Sequence, residues 1–458
     1  MRYDADHLPA VQQEILEILM HQSAYCLFAF LFLPLSSHAA DLNIPDSTRS
    51  AFKTLAADAR VQQALAFLKA DDANTLTEQK AINVIPAPPF KERVRGEFYA
   101  KRLTELGLAN VRVDNEGNVI GLRAGSGHGP RLVVSAHQDT VFPEGTDVSV
   151  HEREGKVFAP GISDDTRGLA ALLSVIRAFN ASGIKTTGDI LFVGTVGEEG
   201  MGDLRGVKAL FREDKNIDGF ISVDGTDVSR ITYLGTGSHR YVVTFKGPGG
   251  HSFGAFGLPS AIHAMGRAIA KIGDLTVPKT PKTTFTVGTV TGGTSVNAIA
   301  GLATMEIDMR SNGGPQLLEI ESKVLAAINQ AIEEENARWH PEKDFEHITV
   351  DAKLVGDRPG GAASPDQSPV WISALATEAI GQKQSLTDAS STDSNVPINL
   401  GIPAVTLGGG GKSNGAHSLR ESFDPTDAYL GPQKIFLTVL GLVGVEGVAP
   451  PALVKRQR

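Results

Sequence analysis

Three stretches of this chain run from apolar residues straight into acids or a histidine. Leu132-Val133-Val134 leads to His137-Gln138-Asp139, Ile190-Leu191-Phe192-Val193 leads to Glu198-Glu199, and Phe220-Ile221 leads to Asp224. On extended backbone, residues two apart point to one side, so His137 and Asp139 can reach a single point just past a buried strand. Between the first two stretches, "APGISDDTRG" delivers Asp164 and Asp165 at the start of an apolar helical pattern. Asp164, Glu199 and Asp224 carry three negative charges, which two divalent cations and one hydroxide would balance. Mixed histidine and carboxylate donors suit zinc and tolerate cobalt or manganese. A second histidine comes from "NGAHSLRESFD", which supplies His417. Asp165 reads as a helix N-cap, and "EE" taken alone could be a solvated loop. Two divalent cations sharing a bound hydroxide are what these residues fit together.

The elements needed to gather them follow from periodicity. "RLVVSAH", "DILFVGTVG" and "FISVDG" read as buried strands, and "DTRGLAALLSVIRAFNAS" as a helix. Such alternation implies parallel pairing with right-handed crossovers. Ligands of open parallel sheets collect at the carboxyl ends of the strands, which is where these side chains sit. "NVRVDNEGNVIGLR" reads as a hairpin. Helical patterns cover 47–69 and 90–106. From about Gly237 the rhythm becomes β-α-β-β-α-β, a ferredoxin-like α+β unit. The α/β pattern then resumes with "PVWISALATEAI", "QSLTDA", "IPAVTLGGG" and a last helix over 431–442. The expected class is therefore α/β, a mixed and mostly parallel sheet with helices on both faces, interrupted by an inserted ferredoxin-like domain. Expected bounds are 45–236 and 357–450 for the first domain and 237–356 for the insert.

The chain has 458 residues, 41% of them apolar, with 49 glycines and a net charge of -9. No basic run is present, which argues against a nucleic-acid partner. Ala24 to Leu35 is a short apolar run followed by "SSHAA". It fits a signal peptide over 1–39 with cleavage near Ala39, and hence a periplasmic or secreted protein with no stable membrane span. The acidic start lacks the usual basic flank, and Met20 is an alternative start. Cys26, the one cysteine, would leave with that segment.

The motifs "HQDTV", "GISDDTRG", "GEEG", "VDG", "GPGGHS" and "GAHS" resemble, in order, those of the two-zinc exopeptidases and deacylases that include peptidase T, carboxypeptidase G and the aminoacylases. The resemblance covers about 80–445. It implies two divalent metals, with Asp164 bridging, His137 and Asp224 on one metal, and Glu199 and His417 on the other. It implies that Asp139 orients His137 and that Glu198 is the general base; adjacent residues on extended backbone face opposite ways, which agrees. It further implies that the insert is a lid and homodimerisation domain whose His251 reaches a neighbouring active site and supports the oxyanion. Asn297 and Arg310 match lid positions that hold substrate. Asp224 and "STDSN" are similar to the peptidase T-like branch, so the expected substrate is a short peptide cleaved at its N-terminal residue, with Asp393 helping to hold the free amine. N-acyl deacylase and carboxypeptidase activity are the alternatives. A more distant one is a serine hydrolase built on Ser252 in "GHSFG", with Asp393 and His417. A metal-free binding protein would not need the full ligand set.

Overall fold

The computed structural model describes residues 42–386 and 389–457; the expected signal segment lies outside them. No helix among the described residues is long and apolar enough to cross a membrane.

An eight-stranded sheet organises the first domain. Its four central strands, Asp189–Thr195, Arg131–His137, Gly219–Val223 and Ala404–Leu407, are all parallel. One flank is antiparallel, formed by the expected hairpin of Ala109–Val113 and Val119–Arg123. The other flank holds Arg230–Thr232 and the two-residue strand Ser385–Leu386. Helix Thr166–Ser182 is buried on nearly every side, which is why its sequence is apolar all round. Phe179 packs on Phe436 of helix Leu430–Val443 with ring centroids 4.8 Å apart. Full burial of such a side chain stabilises the fold by about 1.5–3 kcal/mol.

The insert follows the expected order. Strands Thr283–Gly292, Leu302–Ser311, Gly237–Lys246 and Thr349–Arg358 form one antiparallel sheet. Helices Ala261–Gly273 and Gly314–Trp339 share a separate apolar core with that sheet. Its last strand pairs Ser238 with Arg358, so the insert runs two residues past 356. Among the described residues the N-terminal helical region holds four helices: Asp46–Ala57, Ala59–Ala70, Asp72–Asn83 and Arg93–Glu105. The third of these has too weak an apolar stripe to be read from sequence. A small four-stranded sheet, with Lys412–Asn414 and Ser422–Asp424 at one edge, is a further addition.

Candidate metal centre

Each strand end delivers its residue through buried polar contacts. Arg95 is fully buried and donates to the carbonyls of Ile85 and Gln138, which pins the turn carrying Asp139. His137 Nδ1 lies 3.0 Å from the Asp139 carbonyl oxygen. A carbonyl only accepts, so Nδ1 carries the proton and Nε2 presents its lone pair to the cavity. The Asp139 carboxylate is 3.7 Å from that ring and instead accepts from the backbone N–H of Glu198 at 3.1 Å and of Glu199 at 2.8 Å. The expected orienting role is therefore divided: the carbonyl of Asp139 sets the ring, and its carboxylate sets the Glu198-Glu199 turn.

Asp165 caps helix Thr166–Ser182 by accepting from Gly168 N–H at 3.1 Å, and it also accepts from His137 N–H. A Cβ at Gly168 would stand 2.4 Å from the Asp165 carboxylate, so this cap requires glycine. Glu421 holds the loop before the helix, accepting from the N–H of Gly161, Ser163 and Asp164 and from the Ser163 hydroxyl. Sequence reasoning passed over Glu421, although it stands four residues beyond His417. His417 is carried by the loop between Lys412–Asn414 and Ser422–Asp424, with φ +61.

His137 Nε2 lies 3.1 Å from Asp164 Oδ1, and His417 Nε2 lies 3.0 Å from Asp164 Oδ2 and 3.0 Å from Glu199 Oε1. The donor atoms of His137, Asp164 and Glu199 all fall within 4.8 Å of one another. Asp224 is half-buried and lines the same cavity of about 210 Å³, together with Glu198, Arg230, Arg240, Arg310 and Arg358. His137 Nε2, whose ring carries its proton on Nδ1, faces a carboxylate oxygen across a gap that a further proton or a metal ion fills, and His417 Nε2 faces Asp164 and Glu199 beside it. Without metal, protons serve: hydrogen bonds to Asp164 and Glu199 raise His417 to about 10. The donor set therefore fits two divalent ions, and metal would replace those protons.

Burial pushes the Glu198 carboxyl well above the usual range, and Arg358 opposes that shift. Arg358 is 4% exposed, places Nη1 3.4 Å from Glu198 Oε1, and donates through Nη2 to the Glu198 carbonyl. It ends the last strand of the insert, so the exit from the insert is tied to the Glu198 turn. Its only sequence signal was a lone arginine at a strand end. Glu198 and Glu199 do take different partners, Arg358 and His417 respectively.

Of the substrate candidates, only Arg310 lines the cavity. Asp393 is a correction. It is 1% exposed, accepts from Thr195 Oγ1 at 2.5 Å, and burial raises it to about 6. Its carboxyl is buried against Thr195 at the end of strand Asp189–Thr195 and does not line the cavity, so it is not open to a substrate amine in this structure. His251 and Asn297 sit together in an exposed corner of the insert, where Ser252 N–H donates to the Asn297 carbonyl at 2.9 Å. Neither lines the cavity, and no hydrogen bond among the described residues joins Ser252, Asp393 and His417. The serine-hydrolase alternative thus lacks its triad.

Comparison with known proteins agrees with this geometry. Carboxypeptidase G2 of Pseudomonas sp. (strain RS-16) is 26% identical over 247 residues, covering 51% of this chain and 59% of that protein. The match thus spans less than two thirds of that relative. Aminopeptidase PepT of Bacillus cereus superposes with a TM-score of 0.64 at 22% identity, covering 80% of this chain and 98% of its own. The YXEP protein of Bacillus subtilis, described as a dinuclear metal binding peptidase, superposes with a TM-score of 0.60 at 14% identity, covering 82% and 99%. These structures share the fold. The family model for Peptidase family M20/M25/M40 matches residues 133–440, which takes in every candidate ligand, and the chain belongs to that family of hydrolases.

Proposed function

We propose that this protein is a metal-dependent exopeptidase that removes the N-terminal residue from short peptides, with Glu198 as general base. The observation that carries the reading is the placing of His137 Nε2 and His417 Nε2 against opposite oxygens of Asp164, with Glu198 in the wall of the same cavity. His137, Asp164, Glu199, Asp224 and His417 would hold two divalent ions, zinc in the first instance. Such ions lower the pKa of water at the site and polarise the scissile carbonyl. Glu198 takes the proton from the attacking water and passes it to the leaving amine. The Asp139 carboxylate keeps Glu198 and Glu199 in register by holding both backbone N–H groups. His251 of the partner subunit would support the oxyanion in a homodimer formed through the insert.

Likeness to PepT supports cleavage at the N-terminal residue. A second reading, deacylase or carboxypeptidase, is favoured by the match to carboxypeptidase G2 and by the burial of Asp393, which leaves a substrate amine without its expected partner. The test is a free tripeptide against its N-acetyl form, assayed after chelation and after return of zinc, cobalt or manganese. Cleavage of the free form that is lost to chelator and restored by metal is expected. Faster cleavage of the acetylated form would move the assignment to the second reading, and full activity without metal would end both.

A further inference from the structure

The metal cavity opens at Arg310, Ser390 and Ser391 into a larger chamber of about 660 Å³, which shares those three residues with it. The chamber lies between the base of the insert and the 389–391 segment of the first domain. Lys279 and Lys282 line it from the loop that leads into strand Thr283–Gly292, and Asn312 lines it from the end of strand Leu302–Ser311. Among the described residues no carboxylate lines this chamber, and neither lysine pairs with a described carboxylate. Arg310 donates Nε to Asp308 at 2.7 Å, and no described residue takes its Nη groups. Asn312 spends its amide oxygen on the Thr236 hydroxyl at 2.6 Å, which leaves its N–H donors. Thr236 N–H in turn donates to the Ser390 carbonyl at 2.9 Å, so the two walls are joined.

The two ends of the combined cavity differ in character. The metal end sets Asp164, Glu198, Glu199, Asp224 and His417 beside Arg230, Arg240 and Arg358, whereas the far end offers, among the described residues, Lys279, Lys282, the shared Arg310 and several neutral donors with no carboxylate. Cations gathered in a concave site raise the local potential and concentrate anions there. A substrate whose scissile carbonyl lies at the metals would reach the chamber by extending its remaining part past Arg310, which both cavities share. The main-chain carboxylate of a short peptide would occupy one of these cations, and two more remain.

We propose that this chamber binds the paired carboxylates of a C-terminal Asp or Glu, so that the preferred substrates are short peptides ending in an acidic residue. The identity of these substrates rests on the peptidase reading above, but occupancy of the chamber can be measured without turnover. Zinc-loaded full-length protein is titrated calorimetrically with the product-like dipeptides Ala-Glu, Ala-Gln and Ala-Lys. Ala-Glu should bind about tenfold tighter than Ala-Gln at low salt, Ala-Lys should bind weakest, and the gap should narrow as salt is added. The double variant Lys279→Gln/Lys282→Gln should bring the Ala-Glu to Ala-Gln ratio near unity. That ratio is taken within one protein, so it does not depend on the fraction folded. Equal affinities in the parent protein, or an unchanged ratio in the variant, would overturn the inference. Turnover of Ala-Ala-Glu and Ala-Ala-Gln separates the two readings. Cleavage of both peptides without preference keeps the peptidase and removes the acidic chamber. An intact binding preference with neither peptide cleaved keeps the chamber and removes the peptidase.

Discussion

The metal centre and the His251–Asn297 corner are built in opposite ways. At the centre, His137, Glu198 and Glu199 are 2%, 5% and 7% exposed, and each is fixed by contacts reaching back into the sheet. In the corner, His251 and Asn297 are exposed, and beside them Phe253 is 89% exposed and Val296 fully so. His251 Nδ1 accepts only from the nearby N–H groups of Phe253 and Gly254, at 3.3 and 3.2 Å. A single chain thus pre-organises the hydrolytic centre through its own core, whereas the corner gains nothing from that core. Exposed aromatics around a histidine leave an apolar patch that another surface would cover.

The difference predicts how each region fails. The largest effect belongs to the ligand shell. Glu199→Ala should lose bound metal and, with it, all measurable turnover, whereas Glu198→Ala should keep metal and lose about 10²- to 10⁴-fold in kcat. Metal content measured beside kcat decides this pair, and the reverse pattern would exchange their roles. Next comes the corner. His251→Ala should leave metal content unchanged and lower kcat about 10²-fold, as removal of an oxyanion donor does. Specific activity should also fall when the parent protein is diluted below the dissociation constant of the proposed dimer. Activity independent of both the substitution and dilution would mean that each chain works without the corner.

The smallest effect concerns the buried support behind the centre. Lys434 is wholly buried on helix Leu430–Val443 and donates at 2.7 Å to the carbonyl of Val228, in the loop that follows Asp224, and at 2.9 Å to that of Arg230, at the start of strand Arg230–Thr232. Burial lowers it to about 7, against an ordinary value near 10.4. Between these values the unfolded chain holds a proton that the folded chain lacks. Stability should therefore rise as pH goes from 7 to 10. A neutral amine still has two N–H donors, one for each carbonyl. Lys434→Met should cost about 1–3 kcal/mol by orphaning those carbonyls and should flatten this pH slope. Urea midpoints of both proteins across the window check it, and parallel slopes would show that Lys434 stays charged.

Much of this was legible because strand ends are local facts. "RLVVSAH", "GEEG" and "VDG" reveal themselves by an apolar run that stops at an acid or a histidine, and parallel topology does the gathering. The inserted unit was legible for the same reason, since its six elements each carry their own period. Helix Asp72–Asn83 was not, because its buried residues include Thr75, Glu78, Gln79 and Asn83, whose types read as exposed. Arg358 and Glu421 were missed because a buried charge is recognised only by the partner it meets, 160 and 258 residues away in sequence.

Residue type and order alone determined the α/β class and the order of elements in the insert, and pointed to His137, Asp164, Glu199, Asp224 and His417 as metal-binding candidates. Periodicity and strand-end chemistry are properties of short segments, and short segments are what a sequence displays. Only the tertiary structure decided that Asp393 turns inward to Thr195, that the Asp139 carboxylate serves the Glu198-Glu199 backbone, and that Lys279 and Lys282 stand at the far end of the metal cavity. Those outcomes depend on which surfaces become inside or outside once distant segments pack, and burial is a property of the assembled fold.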